Sequence, residues 1–269
     1  MARRRAVPRF ASRLWRAAGM LVSREIAVLT NAIAFNFLLC LFPLLLVVAA
    51  FSEQLPWGRR AGGALLLVLQ ELIPFGRDTM AESVRSLTRL ARGLEMVSFL
   101  LIIWGSSGIF IPMEMALNKA WGGRTHREFW KSRLIALLMT VAGGLLALLS
   151  VALTVVARTY AREWPTLANL GVKLSALALT WFLFFLIYRV IPAAPVGSRV
   201  AALAALWAGG AWEGAKYAFV FNLGRTNLQA FYGPLAFAVS LVLWAYLSSL
   251  VLVFGALMTP VVDAGRREV

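Results

Sequence analysis

One histidine, one cysteine and 12 acidic residues are all that 269 residues offer to metal or acid–base chemistry. Hydrolytic metal centres gather His, Asp, Glu or Cys at ligand spacing. His126 stands in a basic stretch without such a cluster, so no metal site and no catalytic constellation is expected. Cys40 alone forms neither an intrachain disulfide nor a thiolate cluster. The run FLLC at 37–40 also lacks the small residue that lipoprotein acylation needs before its cysteine. A GxxxxGK[ST] phosphate loop is missing, which argues against ATP-driven pumping by this chain. An enzyme is therefore not expected, and no cofactor is implied.

Charge is scarce as well. Charged residues make up 14% of the chain and hydrophobic ones 61%, where soluble domains carry about 25% and about 45–50%. That balance excludes an ordinary soluble domain. A β-barrel would show alternating segments of about ten residues, and the sequence has none. What it has is long apolar runs along its whole length. The expected class is all-α, a polytopic membrane helix bundle.

A span needs about 20 apolar residues at 1.5 Å each. Six segments qualify, at 29–51, 94–117, 133–157, 169–190, 200–221 and 233–259. The first is too long for the core of a signal peptide and is expected to be retained. Domain organisation follows: a basic segment 1–28, one transmembrane domain 29–260 with an outer loop at 52–93, and a tail 261–269. Pro43 and Pro112 lie inside spans and predict kinks, because each proline frees a backbone carbonyl. Pro234 opens the last span.

The net charge of +15 tempts one toward nucleic acid, but Lys and Arg collect in the cytoplasmic loops of any inner-membrane protein. With the amino terminus inside, sixteen basic residues fall on the cytoplasmic side, from the seven early arginines through Lys119, Arg127, Lys131 and Arg189 to Arg266 and Arg267. Nine fall outside, six of them in the 52–93 loop beside four acids. Both termini are expected in the cytoplasm, and nucleic acid is not an expected partner. Within the outer loop, Thr79-Met-Ala-Glu82 has capping-box spacing. Val84, Leu87 and Leu90 follow at helical intervals, and Leu65 to Leu72 is apolar but too short to span. Two short helices against the outer membrane surface are expected there.

The polar residues inside spans are the candidate site. Glu213 and Lys216 stand one turn apart in GGAWEGAKYAFVFN at 209–222. A charge at a span's centre costs about 2.5–3.5 kcal/mol, so such residues face the bundle interior or water and mark functional positions by default. Lys216 could instead snorkel outward, leaving Glu213 a structural residue. The rows Gly210, Gly214, Ala218 and Ala201, Ala205, Gly209 predict a helix central in the bundle. Asn36, Ser106, Glu114, Ser248 and Ser249 join the same polar interior, with Asn118 and Tyr232 one residue beyond the ends of spans, each alone compatible with simple interhelical bonding.

The blocks AFNFLLCLFPLLL (34–46), IWGSSGIFIPMEMALNKAW (103–121), YRVIP (188–192), WEGAKYAF (212–219), YGPL (232–235) and LWAYLSSLVLVFGA (243–256) follow in order. They resemble the signature blocks of the YihY/BrkB family of bacterial inner-membrane proteins, over about 25–260. The resemblance implies six transmembrane helices and no established biochemical activity. It also implies associations with serum resistance and, in one branch, with export of lipid A precursors. It carries over Pro43, Trp104, Asn118, Trp121, Pro192, Trp212, Glu213, Lys216, Tyr232 and Gly233. Asn36, Cys40 and Leu257 depart from the family's usual aromatic residue, Ser and Glu. A carboxylate-coupled ion mechanism therefore lacks its group at Leu257.

The leading expectation is a transporter or lipid translocase. Its partners would be membrane lipids, anionic head groups among them, with a homo-oligomer left open. The alternative is a non-transporting membrane scaffold or envelope-assembly partner.

Overall fold

The computed structural model describes residues 19–21, 23–54, 73–76, 82, 95–123, 127–160 and 165–259. The helices expected over 65–72 and 79–92, the basic segment before 19 and the tail after 259 lie outside the described residues. Seven α-helices and one 3-10 turn occur among the described residues, without a strand. They are α1 (Arg24–Gln54), α2 (Glu95–Ala120), α3 (Phe129–Tyr160), α4 (Pro165–Val190), α5 (Ser198–Arg225), α6 (Leu228–Tyr232) and α7 (Ala236–Met258), with Gly233–Leu235 the 3-10 turn. Each of the six apolar segments falls on one long helix, or for the last on α7 and the turn before it, save Thr259 past the end of α7 and Leu94, which lies outside the described residues. By length and composition, Phe129–Leu146, Leu170–Val190 and Leu228–Met258 suffice to cross a membrane. Helix α5 falls short of that measure because Glu213 and Lys216 stand in its middle among glycines and tryptophans.

Helix α1 runs unbroken past Pro43, and α2 past Pro112. The expected distortions therefore leave both helices continuous.

The six long helices close a ring. Helix α1 packs on α2, α2 on α3, α3 on α4, α4 on α5, α5 on α7, and α7 back on α1. Contacts at one end fix the alternation of directions. Lys119 near the end of α2 pairs with Glu25 at the start of α1. Ser132 in the first turn of α3 donates to Glu114 of α2 at 2.9 Å. Trp121, just past α2, donates its indole N–H to the carbonyls of Ala256 and Thr259 at 2.9 and 2.8 Å, capping α7. The starts of α1, α3 and α5 thus meet the ends of α2, α4 and α7.

Most of the buried side chains lie toward that end and seal it. Ile26, Thr30 and Ile33 of α1 recur at helical spacing and face Met113, Ala116 and Leu117 of α2. Phe184, Ile187 and Tyr188 of α4 join them with Ala201, Ala204, Ala205 and Ala208 of α5 and Val251 to Ala256 of α7. Small residues set the closest approach. A Cβ on Gly255 would meet the Tyr188 hydroxyl, the Ala208 methyl and the Ala204 carbonyl, so α7, α4 and α5 converge there. Tyr188 is fully buried and donates its hydroxyl to the Leu252 carbonyl at 2.6 Å. Replacing it with phenylalanine removes that bond and leaves the Leu252 carbonyl only its intrahelical partner. A loss of about 0.5–1.5 kcal/mol is expected, read as a lower unfolding midpoint in a detergent titration. An unchanged midpoint would show that the bond adds nothing to the seal.

The turns follow the same logic. Gly122 takes φ +72 just past α2, the left-handed cap position where L side chains are strained. Gly123 then donates its N–H to the Asn118 carbonyl at 2.8 Å. Pro192 cannot extend α4. Arg127 donates to the carbonyls of Val190, Ile191 and Pro192, placing a cation on that helix's negative end. Asn118 is buried, and its side-chain oxygen accepts the Ala193 N–H at 2.9 Å. Gly233, at φ +52, turns the chain from α6 into the 3-10 turn.

Candidate functional site

Helix α5 carries one buried stripe, Ala201, Ala204, Ala205, Ala208 and Gly209, which presses on α4 and α7. A Cβ on Gly209 would strike the Trp181 indole of α4. Glu213 and Lys216 lie four and seven residues on, so they prolong the Gly209 side of the helix by two turns. The second small row points elsewhere. Gly210 and Gly214 are exposed, with nothing within reach of a Cβ, and Ala218 is exposed too. One row therefore packs against the bundle as expected, and the other faces outward.

The pair itself is closed and shielded. Lys216 Nζ lies 2.8 Å from Glu213 Oε1, with the side chains only 15% and 29% exposed. Its neighbours on α5 are aromatic: Trp212 stands one turn before Lys216 and Phe219 one turn after. Both rings touch Trp244 of α7, at 5.2 and 5.1 Å between centroids. Trp212 also meets Phe184 edge-on at 6.0 Å. The lysine thus stands between two aromatic positions on its helix, and its ammonium pairs with a carboxylate of the same helix. Such an arrangement can hold an anionic group by exchanging partners, because the cation is already desolvated and placed.

Beyond the pair the ring loosens. No described side chain of α4 from 166 to 180 or of α5 from 210 to 225 is buried. Both helices are buried only toward the sealed end. The mouth between α5, α7 and α1 instead receives a piece of the connection between α1 and α2. Ile73 is 2% exposed and packs with Leu241 and Trp244, bordered by Leu38, Trp212, Phe219 and Phe237. The Phe75 ring lies 5.3 Å from Phe219 and 5.9 Å from Phe237. Gly76, at φ +67, presses on the Phe237 ring.

The expected polar residues do not converge on one place. Glu114, Asn118 and Trp121 belong to the sealed end, where each is bound to another element. Pro192 sits beside them. Asn36 donates to the Ala32 carbonyl of its own helix at 2.8 Å and rests on Gly108 of α2. Ser248 and Ser249 likewise donate to carbonyls one turn back in α7. Hydroxyls and amides in apolar helices do this when no better partner is near. Tyr232 is exposed at 49% and lies outside the interior it was expected to line. Trp212 is central to the aromatic cluster, and Gly233 serves a turn. Pro43, Trp104 and Ser106 lie outside the described side chains. Among the described residues, no group of His, Cys, Asp and Glu could hold a metal ion.

Sequence reasoning missed Tyr188, Arg127, Gly255, Trp244 and Ile73. Tyr188, Trp244 and Gly255 stand inside the quoted blocks, and that was the available signal.

Comparison with known proteins places this arrangement among membrane proteins. The family described as "Virulence factor BrkB" matches residues 18–268. A UPF0761 membrane protein of Mannheimia succiniciproducens is 26% identical over 242 residues, 88% of this chain and 84% of that protein. One from Aggregatibacter aphrophilus is 24% identical over 241 residues, 88% and 86% of the two chains. A Bacillus subtilis protein named "Putative ribonuclease-like protein YfkH" is 25% identical over 237 residues, 83% and 85% of the two. No solved structure matches.

Proposed function

The chain belongs to the BrkB family of membrane proteins, and from that premise we propose that it moves an anionic lipid or lipid-like substrate across the bacterial inner membrane. Six helices, α1 to α5 and α7, cross the bilayer, with both termini and the sealed end on the cytoplasmic side. The excess of Lys and Arg on that side supports the orientation. It also attracts anionic head groups.

One observation carries the reading. The Glu213–Lys216 pair is shielded within α5, on the side that meets α4, at the point where the ring stops being packed. A charge placed so deep is costly unless it serves a polar path. A head group passing along α5 takes the lysine from the glutamate, and the hydrocarbon tail stays in lipid.

Reconstituted in liposomes, the protein is expected to raise transbilayer movement of a fluorescent anionic lipid above that of empty vesicles. The double variant Glu213→Gln/Lys216→Met, which removes both charges together, is expected to lose most of that flux. Flux that survives the double variant would return the pair to bundle packing. The rival reading, a non-transporting scaffold, draws on Glu114, Asn118 and Trp121, which all tie helices together at the sealed end. Folded protein without flux for any anionic lipid would favour that rival.

A further inference from the structure

The aromatic pocket at the open mouth is built by helices and filled by a short piece of connection. Its walls come from Leu38 of α1, Trp212 and Phe219 of α5, and Phe237, Leu241 and Trp244 of α7. Its contents are Ile73 and Phe75. A pocket that buries a branched aliphatic side chain to 2% exposure is one that accepts hydrocarbon. Two of its wall residues, Trp212 and Phe219, are also the rings that flank Lys216 on α5. A hydrocarbon site and a shielded cation therefore share the same two turns of α5.

We propose that this pocket is the chain-binding half of a site for an anionic amphiphile, with Lys216 as the head-group half, and that Ile73 and Phe75 are its built-in competitor. The head-group half rests on the translocation reading above; the pocket and its occupant rest on packing alone. The ligand class follows from the spacing. A free phosphate would meet Lys216 but leave the rings uncovered, and a neutral lipid would fill the pocket but not engage the lysine. Only a molecule with charge and hydrocarbon adjacent satisfies both. About eight methylenes of an acyl chain match the apolar burial of Ile73 and Phe75 together, so a longer chain can displace the segment. The walls do not depend on the segment, because their residues belong to helices packed on one another.

The test uses the full chain in phosphatidylcholine nanodiscs containing a phosphatidic acid with a photoreactive group on its acyl chain. In a Cys40→Ser background, Phe75→Cys and Phe237→Cys are joined by a short thiol cross-linker that a reductant cleaves. Cross-linked protein is expected to lose labelling of α5 and α7 several-fold, and reduction is expected to restore it in the same sample. Ile73→Ala/Phe75→Ala, which empties the pocket, is expected to label more than the unmodified chain. A phosphatidylcholine carrying the same photoreactive chain is expected to label several-fold less. Failure of the two cysteines to cross-link overturns the packing on which the pocket depends. Labelling indifferent to the cross-link overturns the competition, and equal labelling by phosphatidylcholine overturns the head-group half. Labelling needs no transport: absent flux with redox-sensitive labelling removes the translocation reading and leaves the pocket, while flux with insensitive labelling does the reverse.

Discussion

Replacing Gly255 with leucine is expected to leave little folded protein to purify. At that point α7 touches α4 and α5 at once, and a Cβ would already meet the Tyr188 hydroxyl, the Ala208 methyl and the Ala204 carbonyl. Two of those three atoms have little freedom. One is a backbone carbonyl inside α5. The other is a methyl in its buried stripe. The Tyr188 hydroxyl is held as well, by its bond to Leu252. Overpacking of a filled site costs about 1–3 kcal/mol for a few extra methylenes and more where backbone must move. Gly255→Ala is therefore expected to fall within that range, read as a lowered midpoint in a detergent unfolding titration. Gly255→Leu is expected to exceed it and elute as aggregate on size exclusion. A leucine variant that elutes and unfolds like the parent would mean that the three helices do not meet at this glycine.

The second large effect is expected at Lys216. Changing it alone to methionine leaves the Glu213 carboxylate shielded without its partner. Breaking a buried pair from one side costs about 3–5 kcal/mol. The partial exposure of the glutamate side chain, 29%, argues for the low end. Glu213→Gln alone removes the lysine's carboxylate on α5 and is expected to cost less, because a lysine stem can reach toward water. The double variant Glu213→Gln/Lys216→Met, with no charge left to strand, is expected to recover most of the loss. A double-mutant cycle on unfolding midpoints reads this as coupling of more than about 1 kcal/mol. Losses that simply add would show that the two residues act independently, and would remove the pair from any polar path.

The legibility of this fold is uneven for physical reasons. Apolar length is a local property, so all six long helices could be placed from sequence. Even the proline-bearing α1 and α2 were found, because a proline inside a helix does not erase its hydropathy. The pairing of Glu213 with Lys216 was legible too, since residues three apart on a helix face one another. Contacts between distant segments were not. Trp121 caps α7 across 138 residues and Tyr188 bonds α7 across 64, and neither partner carries a local mark. The two small rows of α5 looked equivalent in spacing. Which one would pack depended on where α4 and α7 stand, and the row from Gly210 was read inward when it faces outward. Ile73 was hidden for a similar reason. Three residues of isoleucine, proline and phenylalanine have no period, and only the glycine after them marks a turn.

The closing of the ring by its first and last helices also bears on how the molecule is made. Helix α1 ends at Gln54 and its neighbour α7 begins at Ala236, so most of the chain must be synthesised between them. At ribosomal speeds of about 5–20 residues per second, that gap lasts roughly ten to forty seconds. Once α2 has followed, α1 can lean on it, while its other flank waits for the helix that will cover it; the stripe of α5, made just before α7, waits only briefly. Assembly is thus ordered by the ribosome: the seal forms last, and a nascent chain arrested before α7 is an open arc with the flanks of α1 and α5 still uncovered.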